Sequence, residues 1–207
     1  MGKLIFLAAI EDEFAPLKSR ILASEVRHDI HYEFVALGVG VINSLITLEK
    51  HVDIIKNKHV IFLGTAGIMG NQFVPGETYQ ASFFRWTSIG LALQKGFLPE
   101  SLYPDIEAQR FLVGPQNIPV ISTPEITTDD KTASAFQRQH GPCLENLEVY
   151  GVAYWFKRHN RSLAALLSVT NQVGKESHSH YVTYRDLAWA QLAETVQRVV
   201  MEGEKKV

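Results

Sequence analysis

Cysteine is nearly missing from this sequence, which contains only Cys143 among its 207 residues. A single cysteine excludes an internal disulfide and a zinc site built from several thiolates, and it is typical of a reducing compartment. Long apolar runs are also missing, since none reaches the length of a membrane-spanning helix, and no secretory leader is recognisable. We therefore expect a cytoplasmic protein that binds no membrane.

An excess of positive charge is missing as well, because 22 acidic residues offset the 20 lysines and arginines, which form no basic stripe. This balance excludes the electrostatic footprint of a nucleic-acid-binding protein. The hydrophobic content of 46% and the charged content of 20% are those of an ordinary globular protein. A chain of this length predicts a single domain over residues 1–207 with a large buried core.

Short apolar segments and amphipathic segments alternate along the chain. Strands are predicted at 3–10, 30–40, 60–63, 76–84, 118–123 and 162–171. Helices are predicted at 12–26, 41–52, 127–140, 144–160 and 184–200. The third strand is expected to end in a glycine-rich turn. This alternation favours an α/β fold with three layers, in which helices flank both faces of a central mixed, twisted sheet.

Ligands of such folds bind outside the carboxyl ends of the strands. Four stretches with acidic, glycine or amide residues fall there: AIEDEF, LGVGVIN, LGTAGIMG and SVTNQVG. The glycine clusters fit neither a dinucleotide-binding fingerprint nor a phosphate-binding P-loop. Each stretch also has a simpler explanation, because short glycine clusters form turns, acids begin helices, and an asparagine such as Asn171 often ends a strand.

Three further features have both a functional and a structural interpretation. His178 and His180 have the spacing of a metal site on a strand, but a polar loop is favoured because no third ligand is evident. The irregular segment 85–116 is expected to cross one end of the sheet as a binding loop. Nearby aromatic residues are expected in the core or in a dimer contact: Phe83, Phe84, Trp86 and Phe97. Cys143, at a predicted helix start and without a nucleophile motif, is expected to be a structural thiol.

Glu148 stands in the apolar stretch CLENLEVYGVAYW, where an unpaired carboxylate is unfavourable. One interpretation puts it at a helix end, where it binds backbone amides or pairs with Lys157 or Arg158. In the other interpretation the carboxylate faces a cleft and holds the hydroxyl groups of a ligand. The segment alone favours the first interpretation, so the rest of the chain has to decide.

Five stretches together resemble the successive motifs of the nucleoside phosphorylase and nucleosidase superfamily: LAAIEDEF, LGVGVINSLITL, FLGTAGIMGNQFVPGE, LENLEVYG and LLSVTNQVG. The resemblance extends from Leu4 to about Val200. Within the superfamily the chain is most similar to futalosine hydrolases, enzymes of an alternative menaquinone pathway, through its GVGVIN, ENLE and TNQVG segments. AIEDEF and TAG are also similar to motifs of methylthioadenosine/S-adenosylhomocysteine nucleosidases.

This resemblance implies hydrolysis of the N-glycosidic bond between a purine and a ribose, with no metal and no organic cofactor. It implies that Glu13 activates water, that Glu148 binds the ribose hydroxyls, and that Asn171 contacts the base. The other implied substrate-binding residues lie beneath the sugar or against the sugar and base: Thr65, Ala66, Gly67, Ile126 and Leu147. A homodimer is implied as well, as in the related nucleosidases.

Asn171 stands where the superfamily usually has an acid that protonates the base. An amide cannot supply that proton, but it can hydrogen-bond N7 and O6 of a 6-oxopurine. Adenine presents a donor at its 6-position instead, which would be mismatched with the amide donor. We therefore expect hypoxanthine as the base, released from futalosine or a related nucleoside.

Several positions depart from the superfamily pattern. Tyr150 is expected to add bulk beside the sugar, and Leu167 replaces a usual arginine. Lys175 and Glu176 replace a Pro-Arg pair, and SIGLAL at 88–93 replaces an acidic Asp-Leu-Gly stretch. These changes leave the substituent on the ribose open.

Three alternatives to a futalosine-type hydrolase stay open. They are a methylthioadenosine/S-adenosylhomocysteine-type nucleosidase, a purine nucleoside phosphorylase, and a catalytically weak protein that only binds nucleosides. Against the phosphorylase, Lys18 and Arg20 lie on a predicted helix flank and not in a phosphate clamp. The departure at Leu167 is the feature that favours the non-catalytic alternative.

Overall fold

The structure of the chain is a computed structural model that describes residues 2–23, 30–70, 72–99, 102–111 and 114–202. The strands in this part of the chain are β1 Gly2–Ala8, β2 Ile30–Ala36, β3 His59–Met69, β4 Thr78–Trp86, β5 Ile106–Glu107, β6 Asn117–Ser122, β7 Cys143–Glu145 and β8 Ala164–Gln172. The helices are α1 Ala15–Ala23, α2 Val41–Lys50, α3 Val52–Ile55, α4 Ile89–Ala92, α5 Asp130–His140, α6 Val149–Arg158 and α7 Ser177–Val196. A 3-10 turn, Glu11–Phe14, precedes α1, and a π turn, Gln197–Glu202, follows α7.

The strands form one mixed sheet around β3. β1 pairs in parallel with β2 on one side and with the first half of β3 on the other. β3 also pairs in parallel with β8 and, at its end, antiparallel with β7. Five strands close a ring by pairing in the order β3, β8, β4, β6, β7 and back to β3. The sequence did not predict this ring. The mixed character of the sheet is confirmed.

Helices cover the sheet on both faces, as the alternation of side chains along β1 demonstrates. Ile5 and Leu7 are fully buried in a cluster that contains residues of α2 and α6: Leu48, Val152, Ala153 and Phe156. Phe6, between them, is fully buried in a second cluster with residues of α1 and α7: Leu17, Leu192, Ala193 and Val196. Successive side chains of a strand point to opposite faces, so the two clusters lie on opposite sides of the sheet. The predicted three-layer α/β fold is therefore confirmed.

Two predicted element boundaries are wrong because the sheet includes the residues beyond them. The strand predicted at 60–63 continues through the glycine-rich segment to Met69, since β7 and β8 pair with it there. The helix predicted at 144–160 begins only at Val149, since Cys143 starts β7. Cys143 thus lies in a strand and not at a helix start. Its thiol is free and buried, and this burial raises its pKa to about 12.

The chain around His178 and His180 is helical, so the expected polar loop is wrong and so is the alternative of a strand. Both histidines lie in the first turn of α7, which begins well before the helix predicted at 184–200. The predicted apolar stripe of that helix does pack against the core, through buried residues: Trp189, Leu192, Val196 and Val199. The helix predicted at 12–26 corresponds to the 3-10 turn and α1, and its positions 24–26 lie outside the described residues.

The segment 85–116 is largely irregular in the part that the structure describes, as predicted. Trp86 packs against Tyr103 and Tyr150, with ring centroids 6.3 and 5.8 Å away. The Tyr150 hydroxyl donates a 3.1 Å hydrogen bond to the carbonyl of Pro104. Tyr150 therefore anchors this segment to α6. None of the described helices is long and apolar enough to cross a membrane.

The aromatic residues near this segment differ in burial. Phe84 is fully buried in the core, whereas Phe83 and Trp86 are half-buried. Phe97 is 87% exposed. The expected core role thus applies to Phe84, and Phe97 is left as a surface residue.

Candidate active site

A cavity of ≈190 Å³ lies at the carboxyl ends of β1, β3, β7 and β8. All eight residues assigned to a site from the sequence line it: Glu13, Thr65, Ala66, Gly67, Ile126, Leu147, Glu148 and Asn171. Seven lining residues were not assigned from the sequence: Ala9, Ile10, Val39, Glu145, Asn146, Thr170 and Tyr181. The fold thus brings the assigned residues together in one place, although they come from five separate segments of the chain.

Glu13 lies in the 3-10 turn after β1, lines the cavity and is 6% exposed as a residue. One oxygen, Oε2, accepts hydrogen bonds from the amides of Ala9 and Ile10 at 3.0 and 3.3 Å. The other, Oε1, accepts from the Thr65 amide at 3.2 Å. Burial raises the pKa of Glu13 to about 7, and the charge of Glu148 adds to the rise against the opposing amide bonds. A carboxylate that titrates near neutral pH suits a general base.

Glu148 lies at the N-terminus of α6, so the helix-end part of the first interpretation is right. Its carboxylate does not reach Lys157 or Arg158, which lie in the last turn of the same helix. Instead, Oε1 accepts a 2.8 Å hydrogen bond from the amide of Gly40 and the side chain faces the cavity. Glu148 therefore lies at a helix end and binds a backbone amide, as in the first interpretation, and it faces a cavity, as in the second. Burial raises the pKa of Glu148 above its usual value, and the Gly40 bond opposes this.

The glycines of the GVG segment present this amide to Glu148. Gly38 and Gly40 have φ values of 89° and 84°, a conformation that residues with a Cβ rarely adopt. The Gly38 amide also donates to the carbonyl of Ala9 at 2.9 Å, which ties the turn to the end of β1. The turn therefore holds a backbone donor at the cavity, and the sequence interpretation as a simple turn misses this role.

Asn146 fixes the start of α6, and the sequence interpretation missed it. Its Oδ1 accepts from the amides of Glu148 and Val149 at 3.0 and 2.9 Å, and its Nδ2 donates to the carbonyl of Thr65 at 3.0 Å. An asparagine shortly before a helix is the usual signal of such capping. Asn146 thus couples the position of Glu148 to β3, where the Glu13 partner Thr65 lies.

Asn171 lies at the end of β8 and is 9% exposed. Its Oδ1 accepts from the Thr170 hydroxyl at 2.8 Å, and its Nδ2 donates to the carbonyl of Gln172 at 3.3 Å. A register shift between Ala66 and Gly67 sets Asn171 opposite Gly67. A Cβ at Gly67 would lie 2.7 Å from Asn171 Nδ2, so the glycine is required for the amide to occupy this place.

Glu145 is a third carboxylate of the cavity. Its Oε1 accepts from the hydroxyls of Thr127 and Thr123 at 2.6 and 3.4 Å, and its Oε2 accepts from the Thr127 amide at 3.4 Å. Burial raises its pKa, against these hydrogen bonds. The ENLE segment contained the signal, but only its second glutamate was assigned from the sequence.

Two departures from the superfamily pattern lie away from the cavity. Tyr150, which was expected beside the sugar, does not line it, because its side chain points to Pro104. Leu167 is fully buried in the hydrophobic core. Tyr181 of α7, which was not expected, does line the cavity, and burial followed by the charge of Glu13 raises its pKa.

None of the described residues that line the cavity is a lysine, an arginine or a histidine. Lys18 pairs with Glu11, and Arg20 donates to Gln197 at 3.2 Å. His180 stacks on Phe73, with ring centroids 4.8 Å apart. The described residues contain no group of three or more His, Cys, Asp or Glu side chains that could hold a metal ion.

No protein-family model and no curated protein sequence matches the chain. Solved structures do match, among them native futalosine hydrolase of Helicobacter pylori strain 26695. It has a TM-score of 0.81 and 15% identity, and the match covers 97% of this chain and 98% of that chain. Methylthioadenosine/S-adenosylhomocysteine nucleosidase from Helicobacter pylori, solved with butyl-thio-DADMe-Immucillin-A, has a TM-score of 0.82 and 15% identity, with 98% and 99% covered.

S-adenosylhomocysteine nucleosidase from Streptococcus pyogenes, in complex with 5-methylthiotubericidin, has a TM-score of 0.79 and 13% identity, with 97% of each chain covered. Identities this low show the fold alone. The chain therefore shares the fold of these solved nucleosidases and of futalosine hydrolase, which agrees with the fold that the resemblance of its motifs implied.

Proposed function

We propose that this protein hydrolyses the N-glycosidic bond of a purine nucleoside. The observation that carries the proposal is the pair of buried carboxylates, Glu13 and Glu148, which face one cavity together with the amide of Asn171. The solved nucleosidases that share the fold support the same reaction class. The roles of the individual residues are those that the resemblance of the motifs implies, and their presence in one cavity supports them.

Glu13 is the proposed general base. With a pKa of about 7, a large fraction of its carboxylate is ionised at neutral pH and ready to accept a proton from water. Cleavage of the glycosidic bond builds positive oxocarbenium character on the sugar, which a nearby negative charge stabilises. Glu148, held by the Gly40 amide, is the proposed acceptor for the ribose hydroxyls and supplies that charge.

Water is the proposed acceptor of the ribosyl group. Glu13, Glu145 and Glu148 all face the cavity, and their negative charge opposes the entry of a phosphate dianion. Lys18 and Arg20, the basic residues of α1, are already engaged with partners in the 3-10 turn and in the π turn, respectively. These observations favour a hydrolase over a phosphorylase.

Hypoxanthine is the proposed base, with futalosine or a related nucleoside as the substrate. Asn171 carries this step, because an amide group can donate to O6 or N7 of a 6-oxopurine and cannot act as an acid toward adenine. Ile126 and Leu147 supply the apolar surface against the base and the sugar. The similarity to a futalosine hydrolase in fold supports this choice of substrate.

The test is chromatographic measurement of base release from futalosine, inosine, methylthioadenosine and S-adenosylhomocysteine, each with and without phosphate. We expect hypoxanthine from futalosine in the absence of phosphate. Adenine release would be consistent with a nucleosidase but would refute the assignment of hypoxanthine as the base. Base release only in the presence of phosphate would indicate a phosphorylase. If nucleosides bind without any base release, the protein is the non-catalytic alternative.

We also propose that the protein is a cytoplasmic homodimer. Three apolar side chains before and along α2 are exposed, namely Val39 at 56%, Ile42 at 71% and Ile46 at 50%, and Val39 lines the cavity. A second copy that covers this surface would shield both the apolar area and the cavity mouth. Phe97, at 87% exposed, offers a second candidate contact in segment 85–116.

Sedimentation velocity tests the dimer. We expect the Ile42→Lys variant to shift the protein toward the monomer, and Phe97→Lys serves as the comparison that locates the contact. A wild-type protein that sediments as a monomer at micromolar concentration would exclude the dimer. A cytoplasmic location is supported by the single cysteine, which is free and buried.

A further inference from the structure

Thr65 of β3 lies beside a gap in the sheet. On one edge of this stretch β3 pairs with β8, whereas on the other edge the pairing with β1 ends at Phe62 and the pairing with β7 begins at Gly67. Backbone groups of a strand that lack a neighbouring strand require other partners. Here two side chains of the cavity supply them. The Thr65 amide donates to Oε1 of Glu13 at 3.2 Å, and the Thr65 carbonyl accepts from Nδ2 of Asn146 at 3.0 Å.

Asn146 connects this gap to the start of α6. Its Oδ1 accepts at 3.0 Å from the amide of Glu148 and at 2.9 Å from that of the next residue, while its Nδ2 donates to Thr65. Leu167 lies close to the same amide group, since a Cβ at Gly64 would be 3.5 Å from Asn146 Nδ2 and 3.3 Å from Leu167 Cδ2. Leucine offers no hydrogen bond, so the link between the Thr65 carbonyl and α6 is made by Asn146.

The hydrogen bonds of Asn146 belong to a closed circuit around the cavity. In the other half of this circuit, the Gly40 amide donates to Glu148 at 2.8 Å. The Gly38 amide donates to the Ala9 carbonyl at 2.9 Å, and the Ala9 amide donates to Oε2 of Glu13 at 3.0 Å. The members of the circuit, in order, are Glu13, Thr65, Asn146, Glu148, Gly40, Gly38 and Ala9. Apart from the two carboxylates, Asn146 is the only member that takes part through its side chain.

We propose that Asn146 is a positioning residue, which ties Glu148 to Glu13 through Thr65 and holds the two carboxylates at a fixed separation. This inference rests on the proposed function, since it concerns the geometry of the same pair. Two buried negative charges repel each other, so a link is required to keep them close together. The charge of Glu148 also contributes to the raised pKa of Glu13, so their separation influences the pH at which Glu13 loses its proton.

Tyr181 of α7 also faces Glu13. The pKa of Tyr181 is raised by burial and by the charge of Glu13, so this side chain is neutral in the range where Glu13 titrates. Arg185 and Asp12 are the further charged groups that affect the pKa of Tyr181. None of these groups is a member of the hydrogen-bond circuit. A substitution at Asn146 therefore acts on Glu13 through Glu148.

The Asn146→Ser variant removes the link and keeps the helix cap. A serine oxygen accepts from the first amides of a helix about as well as an asparagine oxygen does, but the shorter side chain lacks the amide donor that reaches Thr65. Asp129→Ser is the matched control. Asp129 caps α5, where it accepts from the Thr132 amide at 2.8 Å, and it does not line the cavity. Both variants exchange one capping side chain for serine, and only the first cuts the circuit.

A double-mutant cycle on inosine binding tests the link without turnover. Every protein in the cycle carries Glu13→Gln, which prevents hydrolysis in the proposed mechanism, and inosine is titrated by calorimetry into variants with Asn146→Ser, Glu148→Ala or both. We expect Asn146→Ser to weaken binding about 3- to 10-fold, the range of one hydrogen bond between neutral groups. In the presence of Glu148→Ala it should have no further effect, because no carboxylate is left to position. Asp129→Ser should bind inosine as the Glu13→Gln protein does.

The pH dependence of kcat/KM is the second readout, measured with Asn146→Ser alone. Repulsion moves the two carboxylates apart once the link is cut, so the pKa of Glu13 falls and activity is kept to lower pH. We expect the acid limb to move down by about 0.5 unit, a part of the shift of about one unit or more that a like charge at close range produces. Asp129→Ser should leave the limb in place.

Two results would overturn the positioning role. An equal loss of inosine affinity with and without the Glu148 carboxylate would mean that Asn146 contacts the ligand itself or only supports the fold. An acid limb that stays in place, or an inosine affinity that Asn146→Ser does not change, would mean that the separation of the carboxylates does not depend on the link.

The proposed hydrolase and the proposed positioning residue fail in different ways. Non-additive inosine binding with no base release from any nucleoside would refute the hydrolase and leave the role of Asn146 intact. Base release with an additive binding cycle would do the opposite. A Glu13→Gln protein that binds no inosine overturns the positioning role, since Glu148 then holds no ribose.

Discussion

Glu13 and Glu148 present their carboxylates to the same cavity, where burial and then the charge of Glu148 raise the pKa of Glu13 to about 7. The two residues are far apart in the chain, and backbone amides fix both. Glu13 accepts hydrogen bonds from the amides of Ala9, Ile10 and Thr65, and Glu148 accepts one from the amide of Gly40. Because the charged groups are held by main-chain donors, their spacing depends on the strand ends and not on flexible side chains.

Replacement of Glu13 by glutamine should abolish hydrolysis and largely spare ligand binding. The amide retains the size of the carboxylate but cannot accept a proton from water, and loss of a general base costs about 10²- to 10⁴-fold in rate. The measurement is kcat for base release, with calorimetric binding of the nucleoside in parallel. Asp12→Asn is the matched control, since Asp12 is an exposed acid of the same turn. Unchanged kcat in Glu13→Gln would remove Glu13 from the mechanism.

The pH dependence of kcat/KM should show an acid limb near pH 7. The base must be deprotonated, and the pKa of Glu13 is raised, so activity is fully present above this value and is lost as pH falls through about 7. Glu148→Gln removes a negative neighbour and should move this limb to lower pH, at reduced activity. A limb that stays in place in this variant would mean that another group is being titrated.

The sequence assigned Glu13, Glu148 and Asn171 through the resemblance of their motifs to known ones, and all three line the cavity. It could not locate Glu145, because β7 has only three residues and exists through its pairing with β3 and β6, which are distant in the chain. The residues 143–145 therefore read as the start of a helix. Asn146 was missed for a related reason, since the helix predicted at 144–160 enclosed it, whereas α6 begins after it and Asn146 caps its first amides.

The helix predicted through 144–160 and the loop predicted around His178 share one cause of error. Local propensity does not determine the secondary structure of either segment. Tertiary pairing forms β7 in the first, and packing on the sheet extends α7 in the second. The overall α/β order was recoverable because residues 4–8 of β1 and 60–63 of β3 are apolar throughout.

Glu148→Ala should weaken nucleoside binding by about 10- to 100-fold, the range of a lost hydrogen bond to a charged group. The reason is that the carboxylate is the proposed partner of the ribose hydroxyls. The diagnostic measurement compares kcat/KM for a riboside and its 2′-deoxy analogue. The wild type should prefer the riboside, and the variant should not. If the preference is kept in full, the hydroxyls are bound by another group.

Gly67→Ala should impair the base end of the site. A Cβ there would lie 2.7 Å from Asn171 Nδ2 and 2.6 Å from Val173 Cγ2, so the amide of Asn171 has to move. We expect kcat/KM to fall by at least about 10-fold, in line with the loss of one well-made hydrogen bond in a buried site. Gly90→Ala is the control, because its Cβ would meet only Ser88 Oγ, at 3.7 Å. Equal activities of the two variants would show that Asn171 does not need its present position.

Gly151→Ala tests whether the contact between α2 and α6 holds the Glu148–Gly40 bond. A Cβ at Gly151 of α6 would lie 2.1 Å from Cγ2 of Val41, the first residue of α2. Glu148 directly precedes α6, so a shift of α6 away from α2 would move Glu148 as well. Overpacking of this kind costs about 1–3 kcal/mol, so the variant should unfold at lower denaturant concentration. It should also lose affinity for nucleosides, since separation of the helices lengthens the 2.8 Å bond between Gly40 and Glu148.

The double variant Gly151→Ala with Val41→Ala removes the methyl group that the new Cβ would meet. If helix separation is the cause, the second substitution restores both stability and nucleoside affinity relative to Gly151→Ala alone. A double-mutant cycle on the free energy of unfolding and on the binding constant gives the coupling in each quantity. Recovery of stability without recovery of affinity would mean that the Glu148 carboxylate is positioned by Asn146 and the Gly40 turn independently of how closely α2 and α6 pack.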